Sequence, residues 1–328
     1  MGISGVSYHA HGRQSCIAAT TKIARFSDRN APWCRVSIGG AVNRCGYLLL
    51  VAVCMVCSFS VRAEQAWLPK TPMQETYQAL LADRPKVAWQ ELIFALSQQQ
   101  IPTERWAKIK YAIINQTDCG QQLTEPNGKG IPQGLTISFV RRAGASSLGY
   151  EIKLSAEQVE RDTLLTLTDP TGQTVLNEIL NAKSGYQEIE SGQLFTQITP
   201  GIYELRMGGQ HYSLVVYGLP RRPWVKLIGH PEQQLAVDVP DTPISCSPAA
   251  AHWLWLDDAY RWIEQTPIYL SGRADNSYAP TKIKLPTSSL VNAEHLSVTV
   301  SHFEYQGAIK VNYVERLALP LPRSENKK

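Results

Sequence analysis

Long apolar runs are missing from this sequence. The most extended, Leu48–Val61 (LLLVAVCMVCSFSV), falls short of the roughly 20 residues that a membrane-spanning helix requires. Cysteine is sparse, with seven in 328 residues, which excludes a small disulfide-stapled scaffold. Charged residues make up only 18% and hydrophobic residues 44%. That balance excludes a disordered tail protein and a coiled-coil rod. The chain also lacks a Gly-x-Ser-x-Gly elbow, a phosphate loop, a His-Glu-x-x-His helix and a Gly-x-Gly-x-x-Gly turn, so the common enzyme signatures are absent. Beyond residue 63 the histidines are His211, His230, His252, His295 and His302, with no two at helical ligand spacing. Neither a cofactor nor a metal is expected.

What is present begins with the apolar run itself. Arg44 precedes it, and Val61-Arg62-Ala63 closes it with small residues at the two positions a signal peptidase reads. Charge, apolar run and small residues in that order predict a secretory signal over 42–63, cut between Ala63 and Glu64. Periplasmic localisation without a stable membrane anchor is therefore expected. A lipid anchor is not, because Val53 precedes Cys54 and Val56 precedes Cys57. Residues 1–41 carry no periodic pattern and read as a misassigned leader, with translation starting at Val42.

Residues 1–63 hold seven of the 32 Lys and Arg residues and one of the 28 Asp and Glu residues. The remainder therefore sits near −2 rather than +4, which leaves no footprint for nucleic acid. Five cysteines leave with the same segment. Cys119 and Cys246 remain, and two cysteines in an oxidising compartment are expected to form one disulfide.

The rest divides by period. Residues 64–118 read as a helical subdomain, opened by Thr71-Pro72 and interrupted at Asp83-Arg84-Pro85 and Ile101-Pro102. Residues 119–134 read as a linker rich in Gly, Pro and polar residues. From Leu135 the period becomes two, most clearly in IYELRM-GG-QHYSLVVY (residues 202–217), a hairpin across Gly208-Gly209. The expected fold is mainly β behind an N-terminal helical subdomain. It comprises two antiparallel sandwich-like domains, 135–219 and 220–323, and a tail, 324–328. Residues 249–263 (AAAHWLWLDDAYRWI) fit either a short helix or a pair of strands. Leu296, Val298 and Val300 have one parity, and Phe303 and Tyr305 the other. A bulge near Ser301-His302 is expected to reconcile them.

Three groups offer chemistry. Trp224, Trp253, Trp255, Tyr260 and Trp262 form an aromatic cluster able either to bind a partner or to fill a core. His302 and Glu304, two apart, share a strand face, as an acid–base pair requires, although a bulge histidine beside an acid is the plainer expectation. Asp257-Asp258 reads as a solvated turn.

The closing segment HLSVTVSHFEYQGAIKVNYVERLALPLP (residues 295–322) resembles an uncharacterised family of exported gammaproteobacterial proteins, a domain of unknown function. Phe303-Glu304-Tyr305-Gln306-Gly307 and Leu317-Ala318-Leu319-Pro320 carry most of the likeness. Some members of that family are encoded beside an envelope-stress sensor kinase and its response regulator. The resemblance implies a non-enzymatic accessory role and an envelope protein as partner, such as the sensor's periplasmic domain. A carbohydrate- or peptidoglycan-binding module, with cell-wall glycan as partner, is the alternative. A hydrolase with an unrecognised site is the third reading.

Overall fold

The computed structural model describes residues 71–123, 131–144, 147–229, 234–269, 280–286, 290, 292–319 and 321. The expected leader, the signal segment with its Ala63–Glu64 cleavage point, and the tail lie outside the described residues. Among those described, no helix is long and apolar enough to cross a membrane.

Proline sets the helix starts. The helices are α1 (Gln74–Leu81), α2 (Pro85–Gln98) and α3 (Thr103–Gln116). Pro85 is the first residue of α2, and Pro102 stands immediately before α3, where a missing N–H costs nothing. Met73, Trp89, Leu92, Trp106, Ile109 and Ile113 are buried between them. A short 3-10 turn, Gln121–Leu123, follows.

Strands then run β1 (Thr136–Ala143), β2 (Leu148–Ala156), β3 (Thr163–Thr168), β4 (Thr174–Leu180), β5 (Gln187–Glu190), β6 (Gly201–Met207) and β7 (Gln210–Val216). They continue with β8 (Val225–Ile228), β9 (Gln234–Val237), β10 (Ala250–Leu256), β11 (Trp262–Ile268), β12 (Thr281–Lys284), β13 (His295–Gln306) and β14 (Ile309–Leu319). The β6–β7 hairpin turns at Gly208-Gly209, both at positive φ, as a two-residue hairpin loop requires. Residues 249–263 resolve as strands, β10 pairing with β11.

The protein is mainly β, with three helices near the start and several antiparallel sheets: a multi-sheet α+β fold. The strands do not sort into one sandwich on each side of residue 219. A seven-stranded sheet runs β11-β10-β13-β14-β1-β2-β5 and draws from both sides of that boundary. Its centre is a parallel pair, β1 with β14, in which Phe139 sits opposite Tyr313 and Arg141 opposite Glu315. Such a pairing leaves no local mark, because its two strands lie far apart in the chain. The four-stranded sheet β4-β3-β6-β7 faces the large one, with the Phe139 and Tyr203 rings meeting edge-on at 5.2 Å. One continuous apolar core spans both sheets and the small sheet β12-β9-β8. A second core lies under the helices and takes in Val215 of β7, Cys119 and Cys246.

The expected bulge at Ser301-His302 is absent. The β13–β14 register is unbroken from Leu296 opposite Leu319 to Gln306 opposite Ile309. The parity change has another cause. The buried face of β13 runs Leu296, Val298, Val300, His302, Glu304 and Gln306, aliphatic in its first half and polar in its second. Phe303 and Tyr305 occupy the opposite, half-buried face.

Candidate functional site

The polar half of β13 lies beneath α3. Trp106, Ile109, Ile113 and Ile114 form the buried stripe of that helix, and Lys110 stands within it at 2% exposure. Lys110 forms a buried ion pair with Glu304. Its Nζ also lies 3.3 Å from the Tyr313 hydroxyl and 4.6 Å from the centre of the Tyr217 ring. Oε1 of Glu304 additionally accepts from Gln306 Nε2 at 3.0 Å and from the Tyr313 hydroxyl at 3.4 Å. Burial lowers the Lys110 pKa, and the attraction of Glu304 opposes the fall. Such a pair persists in low dielectric only with extra hydrogen bonds of this kind. Gln306 also exchanges two 2.9 Å bonds with the Val215 backbone, tying β13 to the edge strand β7.

Next to this group, His302 bonds through Nε2 to the Tyr217 hydroxyl. Burial, with a smaller contribution from the Lys110 charge, pushes its pKa down to about 3. The imidazole is therefore neutral at physiological pH. The Tyr217 and Tyr313 rings stack at 4.2 Å, and burial raises both hydroxyls well above their ordinary value. Trp224 meets His302 edge-on at 5.4 Å.

Two proline-bearing segments wall the site. The first, residues 220–225, lies at the expected boundary between the two sandwich-like domains and is clasped by a second buried ion pair, Arg141 with Glu315. Arg141 donates to the carbonyls of Pro220 and Arg222. Glu315 accepts from the backbone N–H of Trp224 at 2.8 Å and of Val225 at 3.3 Å. The second wall, residues 238–246, is fastened to the end of α3. The Tyr111 hydroxyl donates to the Thr242 carbonyl at 2.8 Å, and Ser245 N–H donates to Asn115 Oδ1 at 3.1 Å. The expected disulfide joins Cys119 to Cys246, with the Cα atoms 4.7 Å apart. Tyr305 N–H donates to the Cys119 carbonyl and Gly307 N–H to the Gly120 carbonyl, so the disulfide segment also rides on β13.

Between these walls opens a cleft of about 550 Å³. Lys110, Glu304 and His302 lie along its polar side, Tyr111, Tyr217 and Trp224 contribute rings, and Phe303 borders it from β13. Pro220, Pro240 and Pro243 complete the apolar walls, and Arg222, Asp238 and Asp241 line it as well. Clefts of this volume, mostly apolar with a few converging polar groups, hold small ligands or single side chains. Among the described residues, no three His, Cys, Asp or Glu side chains gather as a metal would require.

The five aromatic residues singled out in the sequence do not form one surface. Trp224 lines the cleft and touches the core. Trp255 is buried, and Trp253 packs half-buried against the same core. Tyr260 and Trp262 are two-thirds exposed at the β11 edge, where Tyr260 stacks on His295 at 4.0 Å. The sheet pleat sends neighbours to different places, which sequence proximity hides. Asp257 is the expected turn residue, accepting from the N–H groups of Ala259 and Arg261. His302 and Glu304 share a face as their spacing allows. Sequence reasoning missed Lys110, Tyr217 and Tyr313. A lysine inside an apolar helical stripe was the one available signal.

Residues 67–322 match the model of a family described as a protein of unknown function, DUF2861, and the chain belongs to that family. No curated protein matches it. Among solved structures, it is similar to the BSP domain of a biofilm associated protein at 10% identity and a TM-score of 0.19. That overlap covers 58% of this chain and 30% of the other, so the chain spans under a third of that structure.

Proposed function

We propose that this DUF2861 protein is an exported, non-enzymatic accessory protein of the cell envelope, and that it acts by binding a ligand in the cleft beneath α3. The observation that carries this reading is a preformed opening of about 550 Å³ whose two walls are both fastened in place. Pre-organisation of this kind lowers the ordering cost of binding. Export is supported by the secretory pattern over 42–63 and by the Cys119–Cys246 bond, which an oxidising compartment favours. A non-catalytic role is supported by the state of the titratable groups. Lys110 neutralises Glu304, and the pKa of His302, about 3, lies far from that of a proton-transfer group working near neutrality.

A second reading, docking of an envelope protein such as a stress-sensor domain, is favoured by the β11 edge. There Tyr260, Trp262 and Tyr269 are exposed at 67%, 66% and 87%. Aromatic side chains of this kind anchor protein interfaces.

The test is capture on immobilised mature protein, from cell-wall digests and from solubilised envelope proteins in parallel. Wild type is expected to retain a molecule that Tyr111→Ala releases. Conversion of that molecule into a product, lost in His302→Gln, would make the protein an enzyme and overturn the reading.

A further inference from the structure

Resting on the cleft as a binding site, we propose that its ligand is a saccharide ring. Hydroxyls of the sugar meet Nδ1 of His302 and Oε2 of Glu304, and its C–H face lies on the cleft's aromatic rings. Within the cleft, His302 and Glu304 project from the same face of β13 two residues apart, about 7 Å along the strand. Hydrogen bonds among the described residues engage Nε2 of the histidine and Oε1 of the glutamate. None of them uses Nδ1 or Oε2.

The tautomer follows from acidity. A phenol is a stronger acid than a neutral imidazole N–H, so the Tyr217 hydroxyl donates to Nε2 and the imidazole proton sits on Nδ1. The cleft therefore offers one neutral donor and one carboxylate acceptor side by side. Lys110 cancels the Glu304 charge, so this pair gives a charged ligand no net attraction. A purely apolar ligand would strip water from both groups and leave them unpaired, a cost no ring contact repays. A hydroxyl both donates and accepts, and adjacent hydroxyls on one sugar satisfy the pair at once. The remaining walls suit the other side of such a ring. Tyr111 and Trp224 are aromatic, and sugar C–H faces stack on aromatic faces. The volume admits one or two rings and no long oligomer.

The test uses the full exported chain, purified under non-reducing conditions, and saturation-transfer NMR with four probes. These are chitobiose, cellobiose, the N-acetylglucosamine–N-acetylmuramic acid disaccharide and an acetylated Gly-Pro-Trp-Pro-Gly peptide. At least one disaccharide is expected to saturate. Tyr111→Ala should weaken it about five-fold, in line with the loss of one stacked ring, and Tyr111→Phe, which keeps the ring, should bind as wild type does. His302→Gln should weaken the same sugar and leave the peptide indifferent. Saturation by the peptide alone overturns the saccharide while the cleft remains a binding site. Sugar binding that Tyr111→Ala and His302→Gln both leave intact places the sugar elsewhere and also overturns the proposal. Silence from all four probes overturns the saccharide, and if capture on the immobilised protein is equally blank, the cleft reading falls with it.

Discussion

Lys110 sits in the apolar stripe of α3, and its charge is paired with one residue 194 positions away, Glu304. Removing either partner strands the other charge in the interior. Lys110→Met alone is expected to lose about 3–5 kcal/mol in urea denaturation. Lys110→Met with Glu304→Leu should recover more than half of that loss. Equal, additive losses in the single and double variants would show that the two side chains act independently. His302 makes a second prediction, in pH. Its folded pKa, about 3, lies below the ordinary 6.5, so the unfolded chain binds the extra proton first. Stability from this group is complete above pH 6.5 and is lost as pH falls toward 3, by about 5 kcal/mol at most. In His302→Gln the acid limb of the stability profile should flatten over that window, while the alkaline limb keeps its shape.

At the scale of elements, β13 shows what a sequence does and does not tell. Its alternation was legible, and so was the shared face of His302 and Glu304. Its second half was misread because an inward-facing strand is expected to stay apolar, and the change from Val300 to His302 looked like a bulge. Only the position of α3 above the strand explains buried polar residues there, and no local pattern encodes it. The helices were legible because Pro72, Pro85 and Pro102 mark their starts. The disulfide was legible by counting cysteines, whereas its role in fastening a cleft wall was not. Across the 127 residues it closes, chain entropy predicts about 4–5 kcal/mol. Cys119→Ser with Cys246→Ser should lower the melting temperature accordingly and release Tyr111 from the wall, read as faster amide exchange over 238–246. Beside the disulfide, Gly120 has φ +84°, and an added Cβ would fall 1.9 Å from the Tyr305 carbonyl oxygen. Gly120→Ala should therefore destabilise as strongly as loss of the disulfide. The tryptophans separate in the same way. Trp255→Ala is expected to cost about 3–5 kcal/mol as a core truncation. Trp262→Ala, at 66% exposure, should stay within about 0.5 kcal/mol.

For the whole molecule, the decisive feature is the parallel pair of β1 and β14, which brings Thr136 beside Lys310. Strand content, the helical start and the order of the elements could be read from period and turn chemistry. Sheet membership could not, since pairing across most of the chain is decided by the assembled core. One consequence is that residues 135–219, which look like a self-contained sandwich, supply the whole four-stranded sheet but only three of the seven strands of the large one. Expressed alone, they should give a collapsed amide NMR spectrum, and the chain from residue 64 onward a dispersed one. The cleft follows from the same topology. Its floor comes from β13, its walls from the crossing segments 220–225 and 238–246, and its roof from α3, so no contiguous motif announces it.

That the cleft is where the protein meets its ligand is tested most directly in living cells. A photo-reactive benzoylphenylalanine is placed at Tyr111 on the α3 roof of the cleft, at Tyr269 beside the β11 edge, or at Tyr186 as a surface control. Irradiation of the cells should give a defined adduct from position 111 and none from position 186. Adducts from position 269 alone, with position 111 unreacted, would contradict the cleft and move the binding surface to the sheet edge.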